Sequence, residues 1–549
     1  MDPNTKTLDN VYDLVGPISY YQIYLIFLIA YVGVMNALRY QMVVFTQAVP
    51  DHYCKPPDYY GNFSEADYKT LAIPKYYDEK CGIEVYSQCE EYFQNKTQAC
   101  SNGYTWDKSY FTSTAATEFN LTCTPKGIFL YTLSLSLFFI SSIFGTPFAG
   151  WWCDTFGRKW FIITYSFFGS FLFLLQGYTT NVYTYLVYRF FQGVTGIAYV
   201  TATCYLIEIV PAKYRSPVGF SIHQFYCVGE ILLACMAYFL RDWRDLSKFQ
   251  VIFCFPVIFL YIWVPESPAY LFSKGEIERA GEVYYSFVKK ENASESKKEK
   301  IRLFLDDLEE SQLSKSNQGK LPLDNQKHYT LKDLFTRSKN LKIVSLKTSF
   351  IHSLISIIYD GLNLSIAFLP GSIYTSMAIF GIVDMLANVI SPRLVQLRIG
   401  QKRVISFGLV MTCFCCLGTT FTILKLPCTT SSGQGGFITY LNLFFAFSGR
   451  FFITSAYYTN YQRNSELFPT PVRSNGTSLC VLASKIGNTL MPLILALRVF
   501  GEFWPGVVFS GLALLAAGLS WSLPDTSGVA TLNSFEDAER LYTGEILEK

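Results

Sequence analysis

Apolar stretches of about 18 or more residues recur along this chain, and nothing else constrains its fold as strongly. As a helix, such a stretch crosses a hydrocarbon core ~30 Å thick, bonding every backbone N–H and C=O within itself because lipid offers no partner. Hydropathy marks about twelve of them, at 17–46, 126–152, 160–178, 181–208, 217–240, 247–264, 341–369, 371–396, 403–425, 436–462, 473–498 and 503–524. Only 16% of the 549 residues are charged, where a soluble chain carries about a quarter. The expectation is an all-α polytopic membrane protein. A formal net charge of +3 and the lack of a basic tract argue against nucleic acid and leave the lipid bilayer as the obvious partner. The polar, mixed-charge opening "MDPNTKTLDNVYDLVG" has no basic n-region, so no cleaved signal peptide is expected.

Two polar segments, 50–125 and 265–340, interrupt the pattern. The short loops "DTFGRK", "AKYRS", "RIGQKR" and "TPVRS" carry Arg and Lys and fall on one side, which the positive-inside rule makes cytoplasmic. The expected organisation is then a cytoplasmic N-terminus (1–16), a six-helix half (17–264), a helical or partly disordered cytoplasmic linker (265–340), a second six-helix half (341–524) and a cytoplasmic tail (525–549). Segment 50–125 faces outward, and its chemistry agrees. It holds Cys54, Cys81, Cys89, Cys100 and Cys123 with sequons at Asn62, Asn95 and Asn120, the signature of an oxidised, glycosylated cap. The pairing is open, and the odd count leaves one cysteine over, with Cys428 in "LPCTTSSGQGG" a candidate sixth. No paired CxxC supports a metal site.

The halves echo one another. "EIVPAKYRS" (208–216) and "ELFPTPVRS" (466–474) share E-x-x-P-x-x-x-R-S; "RFF" recurs at 189–191 and 450–452; "VPES" at 264–267 has an echo in "LPDT" at 523–526. The offsets are all roughly 260 residues, as parallel repeats with a site between them require. Glu208 with Arg215, and Glu466 with Arg473, are expected to pair near the cytoplasmic surface as structural or gating charges.

Between spans two and three lies "GWWCDTFGRK", with Gly150, Asp154, Gly157, Arg158 and Lys159 at G-x-x-x-D-x-x-G-R-K spacing. Gly157 permits a tight turn, and Asp154 can pair or cap at a helix end. This loop resembles the signature loop of the major facilitator superfamily, whose ion pairs hold one conformation and break in the other. The second-half loop "QLRIGQKR" keeps Gly400 but has Leu397 in place of the Asp, which implies a weaker or differently built gate. The Cys-rich loop ending in "EFNLTC", with "PESPAYLFSKG", "RFFQGVTG", "ELFPTPVRS" and the opening "LDNVYDLVGPISYYQ", narrows the resemblance to the organic cation/anion transporter family, solute carrier family 22. It spans nearly the whole chain and implies a twelve-helix major facilitator fold and a plasma-membrane carrier of small organic ions. A monomeric functional unit without cofactor or metal is expected.

Polar stripes mark the helix faces that should look inward rather than at lipid. Span five offers His223, Tyr226 and Glu230; span seven Tyr359, Asp360 and Asn363; span eight Asp384 and Asn388; span ten Arg450, Thr454, Tyr457 and Tyr461; span eleven Ser478, Lys485 and Asn488; and span one Asn36, Arg39 and Tyr40. An isolated Tyr more often packs than binds, and His223 more often accepts a structural hydrogen bond than relays protons. Mid-span Lys485 and Arg450 are different, because a charge at bilayer depth costs at least ~2.5–3.5 kcal/mol and needs a purpose or a partner such as Asp360, Asp384 or Glu230. Lys485 lies about 18 Å along its helix from Arg473, near the bilayer centre.

By the resemblance, Tyr226, Tyr359 and Tyr457 line the central cavity, and Lys485 occupies the position that is acidic in cation carriers and basic in anion and zwitterion carriers. Arg450 matches a basic family position. Two departures cut against a simple anion carrier: Asn388 stands where a Lys is frequent, and Asp360 where an aromatic is common. The expected substrate is therefore an organic anion or zwitterion. The alternatives are a cation carrier using Asp360, Glu230 or Asp384, and a non-transporting sensor on the same fold. An enzyme is not expected: the four histidines (His52, His223, His328, His352) sit in no metal pair or nucleophile–base motif.

Overall fold

The computed structural model describes residues 8–56, 65–78, 83–93, 96–254, 256, 262–289, 294–317, 331–425, 436–526, 532 and 535–544. Among them, eleven helices are long and apolar enough to cross a membrane: Tyr20–Thr46, Pro125–Phe156, Arg158–Gln176, Val182–Glu208, Ala212–Phe239, Lys339–Phe368, Ile373–Leu394, Gln401–Lys425, Phe437–Leu467, Arg473–Phe500 and Trp504–Trp521. They correspond to spans one to five and seven to twelve. Span six begins as a helix at Trp243–Phe249 and a 3₁₀ turn at Gln250–Cys254, and most of its remainder lies outside the described residues. Several helices outrun their apolar stretch. Span five starts at Ala212 rather than 217, and span ten runs to Leu467 rather than 462, because hydropathy marks the lipid-buried turns while the helix continues through its charged tip.

The packing bears out the repeat. Spans one and five pack together, as do seven and eleven; two packs on four, as eight does on ten. The main helix contacts between the halves are five against eight and eleven against two, and adding six to each span number, counted round the twelve, converts one into the other. Between spans two and eleven, Ser136 Oγ donates to the Thr489 carbonyl at 3.1 Å.

The cap is held by three antiparallel ribbons: β1 (His52–Cys54) with β6 (Tyr104–Trp106), β2 (Lys75–Asp78) with β3 (Ile83–Tyr86), and β4 (Glu90–Phe93) with β5 (Lys96–Ala99). Disulfides join Cys54 to Cys100 and Cys89 to Cys123. Cys81, Asn62, Asn95 and Cys428 lie outside the described residues, whereas Asn120 is exposed. His52 approaches Cys89 and Cys123, but those sulfurs are bonded to each other and offer no thiolate to a metal. Glu118 moors the cap to the start of span six through Arg244 and Trp243 Nε1. Burial pushes its carboxyl up, and these donors outweigh that and bring it below the usual carboxylate range.

Hydrophobic clustering differs at the two ends of the bundle. At the Cys-rich end one cluster is shared by both halves, with Leu38, Met42, Phe45 and Leu233 packed on Ile366, Ile373, Tyr374 and Met377. At the signature-loop end the clusters separate. One holds the N-terminal helix, the first half and the linker helices, including Tyr12, Tyr205, Ala280 and Leu305; the other holds Leu334, Phe468, Val472 and Cys480. Cys204, on the signature-loop stretch of span four, is exposed. Among the described residues, a hydrophobic cluster common to both halves closes the Cys-rich end, and the signature-loop end has separate clusters.

Candidate substrate site and gates

Halfway along the bundle the sequence-expected residues converge, but into two differently built groups. The first is an enclosed charge cluster. Arg450 donates from Nε to Asp384 Oδ1 at 2.8 Å and from Nη2 to Asp384 Oδ2 at 2.6 Å, a bidentate pair with both side chains 0% exposed. Its Nη1 donates to the Tyr359 carbonyl at 2.9 Å, and the guanidinium lies 3.9 Å from the Tyr359 ring centroid. Thr454 and the Tyr359 hydroxyl also donate to Asp384, at 2.7 and 3.2 Å. From the other half, Glu230 comes within 3.9 Å of Arg450 and accepts from Gln41 at 2.6 Å. Of the two roles open to Arg450, substrate contact or pairing with a central acid, this conformation shows the pairing, with Asp384 and Glu230. A bidentate guanidinium–carboxylate contact needs no solute to satisfy it.

The second group is open to a partner. Lys485 is half-buried, and its Nζ lies 5.9 Å from the Tyr40 ring centroid. Among the described residues no carboxylate lies within 4.0 Å of it. Asp360 is buried and accepts hydrogen bonds from the Asn488 amide and the Tyr40 hydroxyl, while the charges of Lys485 and Arg450 reach it only from beyond ion-pair distance. The permanent Lys485–Asp360 ion pair that the sequence allowed is therefore not formed in this conformation. Around them runs an aromatic belt across both halves. Tyr359 stacks on Tyr457 at 4.7 Å, Tyr457 on His352 at 5.7 Å, Tyr199 meets Tyr226 at 5.9 Å, and His223 meets Tyr458 at 4.4 Å. His223 hydrogen-bonds Tyr199, in keeping with a structural role. Asn388 donates to Cys227 Sγ at 3.6 Å across the span five–eight contact, so it sits at the interface of the halves.

At the signature loop, Gly157 turns with φ +101°, and a Cβ there would meet the Glu266 carboxylate. Glu266 Oε1 accepts from the Arg158, Lys159 and Ser267 N–H groups at 3.0, 3.1 and 2.9 Å, capping the start of span three. Burial raises its carboxyl above the usual range despite these donors. Arg158 lies 3.7 Å from Asp154 and 3.6 Å from Glu208, which also accepts from Ser267. Gly150 has open space around it. The expected Glu208–Arg215 pair is not formed: Arg215 pairs instead with Asp9, brought there by the docked N-terminal helix. Gly157→Ala should cost about 1–3 kcal/mol through its left-handed φ and displace the cap. Thermal unfolding and transport rate read this out, and unchanged values in both would show that the turn yields freely.

The second half rebuilds the arrangement with a neutral donor. Gly400 turns with φ +87°, and a Cβ there would lie 2.6 Å from Asp525 Oδ2, as one at Gly157 would meet Glu266. Thr526 donates to Glu466 at 2.9 Å as Ser267 does to Glu208. Where Arg158 reaches Glu208, Gln401 Nε2 donates to Glu466 at 2.9 Å. The expected Glu466–Arg473 pair is likewise not formed; Arg473 donates to the carbonyls of Phe468 and Leu532. The echo of "VPES" in "LPDT" was the available signal for Glu266 and Asp525. Arg189 and Asn363, which line a small cavity beside Asp360, had no comparable mark as site residues.

The sequence profile described as Sugar (and other) transporter matches residues 82–537, most of the chain. The chain belongs to this transporter family. Similar proteins include solute carrier family 22 member 7 of Rattus norvegicus (27% identical over 98% of this chain and 99% of the relative). Others are solute carrier family 22 member 6-A of Xenopus laevis (28%; 96% and 92%) and organic cation/carnitine transporter 2 of Mus musculus (28%; 98% and 94%). Its fold is similar to that of the E. coli xylose transporter XylE in a partially occluded inward-open conformation, with a TM-score of 0.59 and 15% identity over 93% of this chain and 100% of that one. The inward-open form of XylE gives 0.57, at 16% identity over 95% and 99%. The transporter is thus a multi-pass membrane protein of the major facilitator fold, as its signature loop and repeats led us to expect.

Proposed function

We propose that the transporter carries small organic ions by alternating access, with organic anions or zwitterions preferred and Lys485 selecting substrate charge. The observation that carries this is the division of charges at the centre. Asp384 and Glu230, two of the acids a cation carrier would use, share Arg450. Lys485 has no carboxylate within 4.0 Å among the described residues and stands beside the aromatic belt. An ammonium there attracts a carboxylate and repels a quaternary amine, more strongly at low dielectric than in water. Aromatic faces hold a ring or, by cation–π attraction, the amine of a zwitterion. The names of similar proteins, one of them an organic cation/carnitine transporter, are compatible with either charge and do not choose between them.

Alternating access has its parts: a shared seal at one end, separate clusters at the other, and a site between repeats. By the arginine and lysine bias the parted end is cytoplasmic, with both termini there and the cap outside the plasma membrane. The gate contacts rebuilt around Gly400 speak against a degenerate, non-transporting sensor. Uptake of labelled anionic, cationic and zwitterionic probes into proteoliposomes tests the proposal. Anion or zwitterion flux above cation flux is expected. Binding without flux would identify a sensor, and dominant cation flux would make Asp360 the determinant.

A further inference from the structure

At the Cys-rich end the cap runs out of β6 into a strap, residues 107–114, that reaches the second half at Tyr374. Asp107 sets its bend by accepting from the Ser109 N–H at 2.9 Å and the Ser109 hydroxyl at 2.8 Å. The strap is tied to the first half. The Thr112 N–H donates to the Arg241 carbonyl at 3.1 Å, Arg241 Nη1 to the Ser109 carbonyl at 3.2 Å, and the Trp243 N–H to the Ser113 carbonyl at 3.3 Å. Thr114 Oγ1 donates to the Ala48 carbonyl, just past span one, at 2.8 Å. Tyr374, the second residue of span eight, comes from the other half and is 6% exposed. Its ring stacks on Phe45 at 5.8 Å and meets Tyr238 edge-on at 5.7 Å, both from the first half. It lies 6.2 Å from Phe111 and 6.4 Å from Tyr110 of the strap, and its hydroxyl donates to the Tyr110 carbonyl.

We propose that the Cys-rich cap acts as an outer latch, its strap holding Tyr374 of the second half whenever the Cys-rich end is closed. The inference rests on the alternating-access reading and goes beyond it, because it gives the cap a part in the transport cycle. When the halves separate at this end, the strap moves with the first half, to which its main chain is bonded, and Tyr374 leaves with span eight. The contact is suited to repeated breaking. Tyr110 is 43% exposed, so its carbonyl and the Tyr374 hydroxyl regain water on release, and the open latch strands no buried polar group. The ring contacts form only while the two halves meet, so they favour the closed Cys-rich end over the open one. Tyr374 is thus a positioning residue, which sets which end is open without touching solute.

Met377, 0% exposed and about one turn further along span eight, lies in the cluster that both halves share, so a thiol placed there reports opening. A membrane-impermeant maleimide is applied to vesicles of each orientation from cells expressing the full chain. Labelling is read by peptide mass at Met377→Cys and at native Cys204, which is exposed at the signature-loop end. Tyr374→Phe should speed labelling of Met377→Cys from the cap side by about two- to tenfold, the worth of one hydrogen bond. Tyr374→Ala also removes the ring contacts; it should speed that labelling by about tenfold or more and slow labelling of Cys204 from the opposite side. Phe111→Ala should have part of this effect and add little to Tyr374→Ala, as members of one contact do. Detergent-phase melting confirms folding, and Tyr374→Phe, which keeps every ring, decides the matter if Tyr374→Ala fails to fold. Unchanged labelling in both Tyr374 variants, or faster labelling of Met377→Cys with Cys204 unaffected, would overturn the latch while leaving a carrier. Phe111 and Tyr374 effects that simply add would do the same. No flux of any organic ion into the wild-type vesicles would overturn the carrier reading and the latch with it.

Discussion

Arg450→Met should destabilise the transporter by about 3–5 kcal/mol, the usual cost of removing one partner of a buried charge pair. The loss has a specific origin. Asp384 and Glu230, both fully enclosed, would face one another without the guanidinium that now bonds one at 2.6 and 2.8 Å and lies 3.9 Å from the other. Asp384→Asn should also destabilise, because its amide keeps one acceptor oxygen for the donors of Arg450, Thr454 and Tyr359 and turns an N–H toward the guanidinium. The triple variant Arg450→Met/Asp384→Leu/Glu230→Gln should recover most of the stability, because replacing a whole buried ion cluster is far milder than breaking it. Melting in detergent across the set checks this. A single Arg450→Met variant as stable as wild type would contradict the account of the cluster.

Much of this architecture was legible in the sequence. Twelve apolar stretches, a G-x-x-x-D-x-x-G-R-K loop and echoes about 260 residues apart sufficed for the fold, because a bilayer permits few ways to satisfy a backbone. The partners of charges were less legible. Local spacing suggested Glu208–Arg215 and Glu466–Arg473, but Arg215 is taken by Asp9 from the N-terminal segment and Glu466 by Gln401 and Thr526. Such pairings depend on which helix ends the tertiary fold brings together, and no local period records that. For the same reason the sequence left Asp360, Asp384 and Glu230 all open as partners of Arg450, and the packing of spans five, eight and ten selects Asp384 and Glu230. Arg189 was visible in the repeated "RFF" and in "RFFQGVTG", neither of which marks a site residue; it lines a small cavity with Asp360 and Asn363.

The second large effect concerns Lys485. Lys485→Ala removes a central cation that has no carboxylate within 4.0 Å among the described residues, and uptake of an organic anion should fall by about tenfold or more, ~1.4 kcal/mol per factor of ten. Lys485→Asp goes further. It places a second acid near Asp360 and inverts the local field, so a cationic probe should become the better substrate. Neither change touches the Arg450 cluster, so folding should be spared in Lys485→Ala. In Lys485→Asp the clustered acids should favour uptake of a proton or a cation.

The ratio of anion to cation uptake in proteoliposomes, compared among wild type, Lys485→Ala and Lys485→Asp at equal protein density, addresses the central claim most directly. The account predicts a ratio above one in wild type, a sharp fall in Lys485→Ala and inversion in Lys485→Asp. The same ratio in all three proteins would contradict it and remove Lys485 from the choice of substrate.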